Sequence, residues 1–187
     1  MDVFDAINGR RSVRRFDAAR GVDASTVDAL VLAASQSPSW ANMQCWRFIA
    51  VRDAAARARI SEIASDEAVL SEMGYKANPS RKALAEAPVV LVACADPAGS
   101  GITRGQEYYL VDMGIAAQTL MLAAHAMGMG TVYVGIYDED ALRELLGIPA
   151  HIRVTGLFPV GYPADHKPRG TSRMPVSELL HLARWPA

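Results

Sequence analysis

Residues 88–95 read PVVLVACA, an unbroken apolar run, and no other stretch constrains the fold as strongly. A strand with one wet face alternates apolar and polar side chains. A run with no polar position is the pattern of a central strand buried on both faces. The chain has 187 residues, enough for one domain with a proper core, and we read residues 1–187 as one unit ending in an arm from about residue 163 to 187. Its 19 basic and 20 acidic residues nearly cancel, so the whole chain carries no nucleic-acid-binding signature and any basic site must be local.

The other elements follow from caps and periodicity. Asp2 caps a short helix with Val3, Phe4 and Ile7 on one face, ended by Asn8-Gly9. Asp23 or Ser25 caps a helix with Val27, Leu30, Val31 and Ala34 at helical spacing. Residues 37–46 form a loop by their proline and small polar residues, and Trp46–Val51 reads as a strand. Asp53 caps a helix to about Ala64, and residues 66–81 read as a surface excursion with weak helices. After a Gly/Pro/Ser loop over 96–105, a helix is expected from about Gln106 to Met127, apolar nearly all round and therefore buried in the middle of the molecule. Thr131–Gly135 and Ile152–Gly161 read as strands around an Asp138-capped helix. The Pro-rich remainder has a short helix near Val176–Leu182 and looks like an arm that needs a surface to lie on. No stretch is long and apolar enough to span a bilayer. The N-terminus reads as an amphipathic helix, not a signal peptide, and Cys45 and Cys94 suit free thiols in a reducing cytoplasm.

The chemistry concentrates at residues 10–16, RRSVRRF, with four arginines in six positions and no acid between Arg10 and Arg15. Like charges this close repel, and an anion offsets them; guanidinium forks bind phosphate oxygens bidentately, and Ser12 adds a hydroxyl. A solvated basic turn whose arginines pair with carboxylates elsewhere is the competing reading. Otherwise enzyme signatures are missing. His125, His151, His166 and His181 have no metal-ligand spacing, no CxxC occurs, and there is no G-x-G-x-x-G or G-x-S-x-G. His125 reads as a satisfied core residue rather than a base, and Cys45 as structurally buried rather than nucleophilic. No catalytic side chain and no metal ligand is assigned; if the protein is an enzyme, a cofactor carries the reaction.

Three motifs in order give the chain a resemblance to the nitroreductase family, the FMN-dependent NAD(P)H oxidoreductases. Residues 10–14, RRSVR, look like its flavin-phosphate motif. Residues 38–46, PSWANMQCW, resemble its proline-serine-x-x-asparagine-x-glutamine-proline-tryptophan loop. The stretches from Tyr108 to Gly135, Asp138 to Pro149 and Phe158 to Pro163 resemble its central helix, glycine strand end, capped helix and closing strand, and Ser172-Arg173-Met174-Pro175 looks like its C-terminal arginine motif.

The resemblance implies an α+β fold, a three-layer α-β-α sandwich around a mixed, mainly antiparallel sheet, in an intertwined homodimer with FMN at the subunit interface. It implies that Arg10, Arg11, Ser12 and Arg173 hold the FMN phosphate and ribityl chain, with Arg14 by the flavin pyrimidine edge, where a fixed cation favours the anionic reduced flavin. Pro38, Ser39, Asn42 and Gln44 come to the ring from the partner subunit, and Gly135 and Ile136 present backbone N–H groups to flavin N5. The competing reading of Asn42 and Gln44 is satisfaction of loop backbone groups. Arg15 is left to the surface or to packing. Three departures stand out: Cys45 replaces the loop's usual proline, Trp40 can narrow the substrate cleft or stack in it, and Asn78 and Lys82 do not match the family's asparagine-lysine register. The implied activity is two-electron, ping-pong reduction of nitroaromatics, quinones or related small-molecule acceptors with NADH or NADPH as donor, in the cytoplasm, without nucleic acid or membrane. The alternatives are another flavin reaction of the family (dehydrogenation, dehalogenation or flavin cleavage) or a non-catalytic nucleotide-binding module.

Overall fold

A computed structural model describes residues 1–65, 67–165 and 170–185. Asp66, His166 and the parts of the C-terminal arm at 166–169 and 186–187 lie outside the described residues.

The apolar run becomes strand β2, Val89–Ala95, buried at every position. It pairs antiparallel with β1, Trp46–Val51, on one side and β6, Arg153–Gly161, on the other. A two-residue β5, Gly130–Thr131, completes the order β1-β2-β6-β5. These pairings are all antiparallel; the parallel contact is an isolated bridge between Ser12 and Thr131. Because strand side chains alternate, β2 divides the core in two. Val89, Leu91, Ala93 and Ala95 face one cluster, with Leu30 of α2 (Ala24–Ser35) and Ala116 and Leu120 of α6 (Tyr109–Ala126). Val90, Val92 and Cys94 face the other, with Ile60 of α3 (Ala54–Ile63), Leu84 of α5 (Arg81–Glu86) and Leu142 of α7 (Glu139–Leu146). The result is the expected three-layer sandwich.

The caps act where the sequence places them. Asp2 makes a capping box with Asp5 at the start of α1 (Val3–Gly9), and Asp23, Asp53 and Asp138 each accept from a backbone N–H in the first turn of their helices. In the excursion, α4 spans Glu67–Glu72, and α8 in the arm spans Val176–Leu179, shorter than expected.

Three expectations need correction. The long helix starts at Tyr109, not Gln106, because Gln106–Glu107 (β4) pairs with Ile102–Thr103 (β3) across Arg104 and Gly105. Both turn residues have positive φ, the twist that a two-residue hairpin favours. The strand expected over 131–135 breaks after Thr131 and resumes only as a bridge between Val134 and Leu157. Pro159, which lacks an N–H, sits in β6 opposite that gap. Finally, α6 is not buried all round. Tyr109, Asp112, Met113, Ala116 and Ala117 are inside, but Leu110, Val111, Gly114, Ile115 and Gln118 form an exposed stripe, with Leu110 at 55%.

Candidate functional site

Asn8-Gly9 ends α1, and the chain turns into the arginine cluster along the β5 edge of the sheet. The Val13 N–H donates to the Thr131 carbonyl at 2.9 Å, and Ser12 bridges the same residue, so this edge fixes the path of the cluster. Gly130 is required there: a Cβ would lie 2.5 Å from Val13 Cγ2. The result is a cleft of about 610 Å³, counting space open to solvent, lined by residues 9–15, Met121 and His125 of α6, Met129, Thr131, Pro163 and Asp165.

The arginines divide their roles. Arg11 Nη1 donates to the carbonyls of Asn8 at 2.6 Å and Arg10 at 2.8 Å, closing the turn. Arg14 Nε donates to Ser80 Oγ at 3.2 Å. Arg15 leaves the group and pairs with Glu86 at 3.3 Å on the surface, as anticipated. Arg173 is exposed and donates to Thr171 and Ser172 of its own turn. Burial, and then the charges of Arg173 and Arg11, push the Arg10 guanidinium below its ordinary pKa, so the cluster is an electrostatically uncomfortable group of cations. Two buried polar atoms on the cleft, Arg11 Nε and Thr131 Oγ1, have no hydrogen-bond partner among the described residues. Gly170 lies so close that a Cβ would meet Arg11 Nε at 2.7 Å.

His125 is not the satisfied core residue expected. It is half-buried, lines the cleft and packs on Gly9, where an added Cβ would lie 2.7 Å from Nε2. Burial, then Arg10 and Arg11, hold its pKa below the usual imidazole value. A lone histidine in an apolar helix does not show in sequence which way it faces.

The loop over 38–45 is built at the other end of α6. Asp112, buried within the helix, accepts from the Trp40 N–H at 3.0 Å, Ser100 Oγ at 2.8 Å and Cys45 Sγ at 3.7 Å. Ser37 Oγ donates to Thr119 Oγ1 of the same helix at 2.9 Å. Burial and the Asp112 carboxylate raise the Cys45 thiol to about 11, so Cys45 is structural and no nucleophile. Within this frame Ala41, Asn42 and Gln44 all take positive φ, a conformation costing non-glycine residues about 1–2 kcal/mol each. Ser39 Oγ accepts from the Gln44 N–H at 3.0 Å, and the Gln44 amide donates to the Asn42 carbonyl at 3.3 Å. Gln44 therefore does satisfy loop backbone, while the Asn42 side chain has no partner among the described residues. Pro38, Asn42 and Gln44 are exposed. The Trp40 ring lies on Gly101, where a Cβ would come within 2.1 Å of it, and meets Tyr108 at 4.4 Å between centroids. Asp112 was missed from sequence; its signal was a lone carboxylate in an apolar helix.

Gly135 is exposed, and Ile136 is half-buried with its carbonyl accepting from Asn78 Nδ2 at 3.3 Å. The structure thus brings Arg10, Arg11, Ser12, Arg14 and Thr131 to one cleft, with Arg173 in electrostatic reach. It does not bring Pro38, Ser39, Trp40, Asn42 or Gln44 to that cleft. Asp112 anchors the loop and His125 lines the cleft, and they stand thirteen positions apart on the helix, roughly 20 Å along its axis.

An α-β-α sandwich with a cationic cleft at one edge of its sheet is the class of protein that the fold and the cleft define. Comparison with known proteins narrows the class. The nitroreductase family model matches residues 7–162. A relative from Methanothermobacter thermautotrophicus, provisionally named NADH dehydrogenase/NAD(P)H nitroreductase, is 32% identical over 99% of this chain and 88% of its own. The iodotyrosine deiodinase of Drosophila melanogaster is 28% identical over 87% of this chain and 63% of its own. A crystal structure of a nitroreductase-like protein from Exiguobacterium sibiricum in complex with FMN shares the fold, with a TM-score of 0.81 and 19% identity over 100% of this chain and 98% of that one. The chain belongs to the nitroreductase family. The cofactor of that family is FMN, and the residues present fit it: the cleft offers clustered guanidinium groups and two orphaned buried polar atoms, Arg11 Nε and Thr131 Oγ1, to an anionic phosphate.

Proposed function

We propose that this protein is a homodimeric, FMN-dependent oxidoreductase that uses NADH or NADPH to reduce small aromatic or quinone-like acceptors. Bound FMN supplies the two-electron chemistry, alternating between the nicotinamide donor and the acceptor in one cleft. Arg10, Arg11, Ser12 and Arg173 bind the phosphate end and Arg14 places a cation at the ring. Gly135 and Ile136 offer backbone donors, and Asn42 and Gln44 of the partner close the cleft. Trp40, seated on Gly101, borders the acceptor's space. The chain's contribution is to bind, orient and shield; no side chain is assigned to move a proton.

The observation that carries this reading is the separation of the two halves along α6. In a single chain the loop's anchor, Asp112, and the cleft-lining His125 stand roughly 20 Å apart along α6. Antiparallel pairing of α6 with its twin brings the loop of one subunit to the cluster of the other. The exposed stripe of Leu110, Val111, Gly114 and Ile115 gives that pairing an apolar seam with a small residue for close approach. The described part of the C-terminal segment, 170–185, exposes Met174, Val176, Leu179, Leu180, Leu182 and Trp185; against a partner these would be covered. Among the described residues no helix is long and apolar enough to cross a membrane. Both cysteines are free and buried, which fits a reducing cytoplasm.

The purified protein should be yellow and dimeric, and should oxidise NADH or NADPH when a quinone or nitroaromatic is supplied. Colourless protein that neither takes up FMN nor turns over refutes the reading. The deiodinase relatives make a halogenated tyrosine the acceptor to include beside these; turnover with it alone would place the chain with the dehalogenating branch.

A further inference from the structure

Ser80 occupies the N-cap position of α5, yet its hydroxyl does not cap the helix. A capping serine is worth about 1 kcal/mol, so a hydroxyl diverted from that role is held elsewhere. It accepts from Arg14 Nε at 3.2 Å. Ser80 is 4% exposed, and its backbone N–H donates to Asn78 Oδ1 at 2.9 Å. Asn78, 8% exposed, donates from Nδ2 to the carbonyls of Ala64 at 2.7 Å and Ile136 at 3.3 Å. We propose that Asn78 and Ser80 are positioning residues for the cofactor: one buried hydrogen-bonded chain that sets both the Arg14 guanidinium and the Gly135–Ile136 backbone. This rests on the FMN reading above.

The chain of bonds has a single polarity. Turning the Asn78 amide over would put its oxygen against two carbonyls and its NH₂ against a donor, so its orientation is fixed. At one end it secures a turn that packing does not. The nearest atom to an added Cβ at Gly135 is Tyr133 Cε1 at 3.7 Å, so the glycine is uncrowded, and the peptide leaving Ile136 is held by Asn78 instead. At the other end, Ser80 takes Arg14 Nε and leaves Nη1 and Nη2 without partners among the described residues, on the wall of the cleft. A guanidinium tethered by its Nε presents its terminal fork in one plane and loses less rotamer freedom when a ligand arrives. Asn78 is therefore not a ligand. It works from behind the site, which accounts for its mismatch with the family's register.

The test is a double-mutant cycle on FMN affinity, read by quenching of flavin fluorescence, with the reduction potential of the bound flavin as second readout. Ser80→Ala should weaken FMN binding roughly three- to tenfold, the scale of one ordinary hydrogen bond acting through a positioning residue, and move the potential to more negative values. Ser80→Thr, which keeps the hydroxyl, should restore both. In an Arg14→Ala background Ser80→Ala should cost nothing further. Asn78→Asp should speed amide exchange at residues 135–137 in the cofactor-free protein; if that variant does not fold, the Ser80 cycle decides alone. Ser80→Ala with unchanged affinity and potential, or an equal loss with and without Arg14, overturns the proposal while the FMN reading stands. Wild-type protein that binds no FMN overturns both.

Discussion

His125 stands among cations that penalise its protonation. Burial, Arg10 and Arg11 lower its folded pKa below the unfolded value near 6.5. The unfolded chain then takes up a proton more readily than the folded one. The stability is complete above about pH 6.5 and is lost as the pH falls through the depressed folded value. We expect the cofactor-free protein to lose thermal stability below pH 6.5, and His125→Gln to flatten that slope. Bound FMN should flatten it too, since its phosphate offsets the same cations; parallel melts with and without FMN read this directly. Asp112 is the second residue to test. Asp112→Ala strips an acceptor from the Trp40 N–H and Ser100 Oγ, and should cost about 2–3 kcal/mol in denaturant unfolding. The arginine cluster was legible in sequence because four like charges in six residues need a counter-charge. His125 and Asp112 were not, because a residue's facing within a helix buried on several sides is decided by packing.

Among the elements, α7 shows how charge fastens a helix to a sheet. Burial works to raise the Glu139 carboxyl. Hydrogen bonds from Arg153 and the Val154 N–H, with the charges of Arg153 and Arg143, outweigh it and leave the group below its usual range. The carboxylate accepts from Arg143 at 2.8 Å, Arg153 at 3.1 Å and the Val154 N–H at 2.9 Å, joining the start of α7 to β6. A depressed carboxyl contributes stability above its unfolded pKa and loses it as the pH falls through the folded one. Glu139→Gln should therefore cost about 1–2 kcal/mol at neutral pH, and its gap from wild type should close below about pH 4. Asp caps and the apolar run made most elements readable, including β1 to the residue. The misplaced start of α6 has a local cause. The Arg104–Gly105 turn draws Gln106 and Glu107 into a hairpin, and arginine carries no left-handed signal. The same holds for Ala41 and Gln44, whose positive φ is imposed by the anchors to Asp112 and Thr119.

For the whole molecule, the decisive surface is the stripe on α6. A charge at its centre should block pairing without disturbing either core cluster, since Ile115 is 38% exposed. Ile115→Glu is expected to sediment as a monomer, keep its secondary structure, and lose FMN at the same time; a monomer that still retains FMN would sink the shared-site reading. The sequence led to the layers and the family. It misjudged α6 as buried all round, because an exposed apolar stripe has the same composition as one that faces the interior.

The distance between the loop and the cationic cleft has a genetic consequence. On the shared-site reading proposed above, each chain contributes two half-sites, so a defect in one does not inactivate the other. Co-expression of an Arg10→Ala/Arg11→Ala chain with an Asn42→Ala/Gln44→Ala chain should yield mixed dimers with one fully wild-type site. Such pairs would complement one another, although either variant alone would be empty.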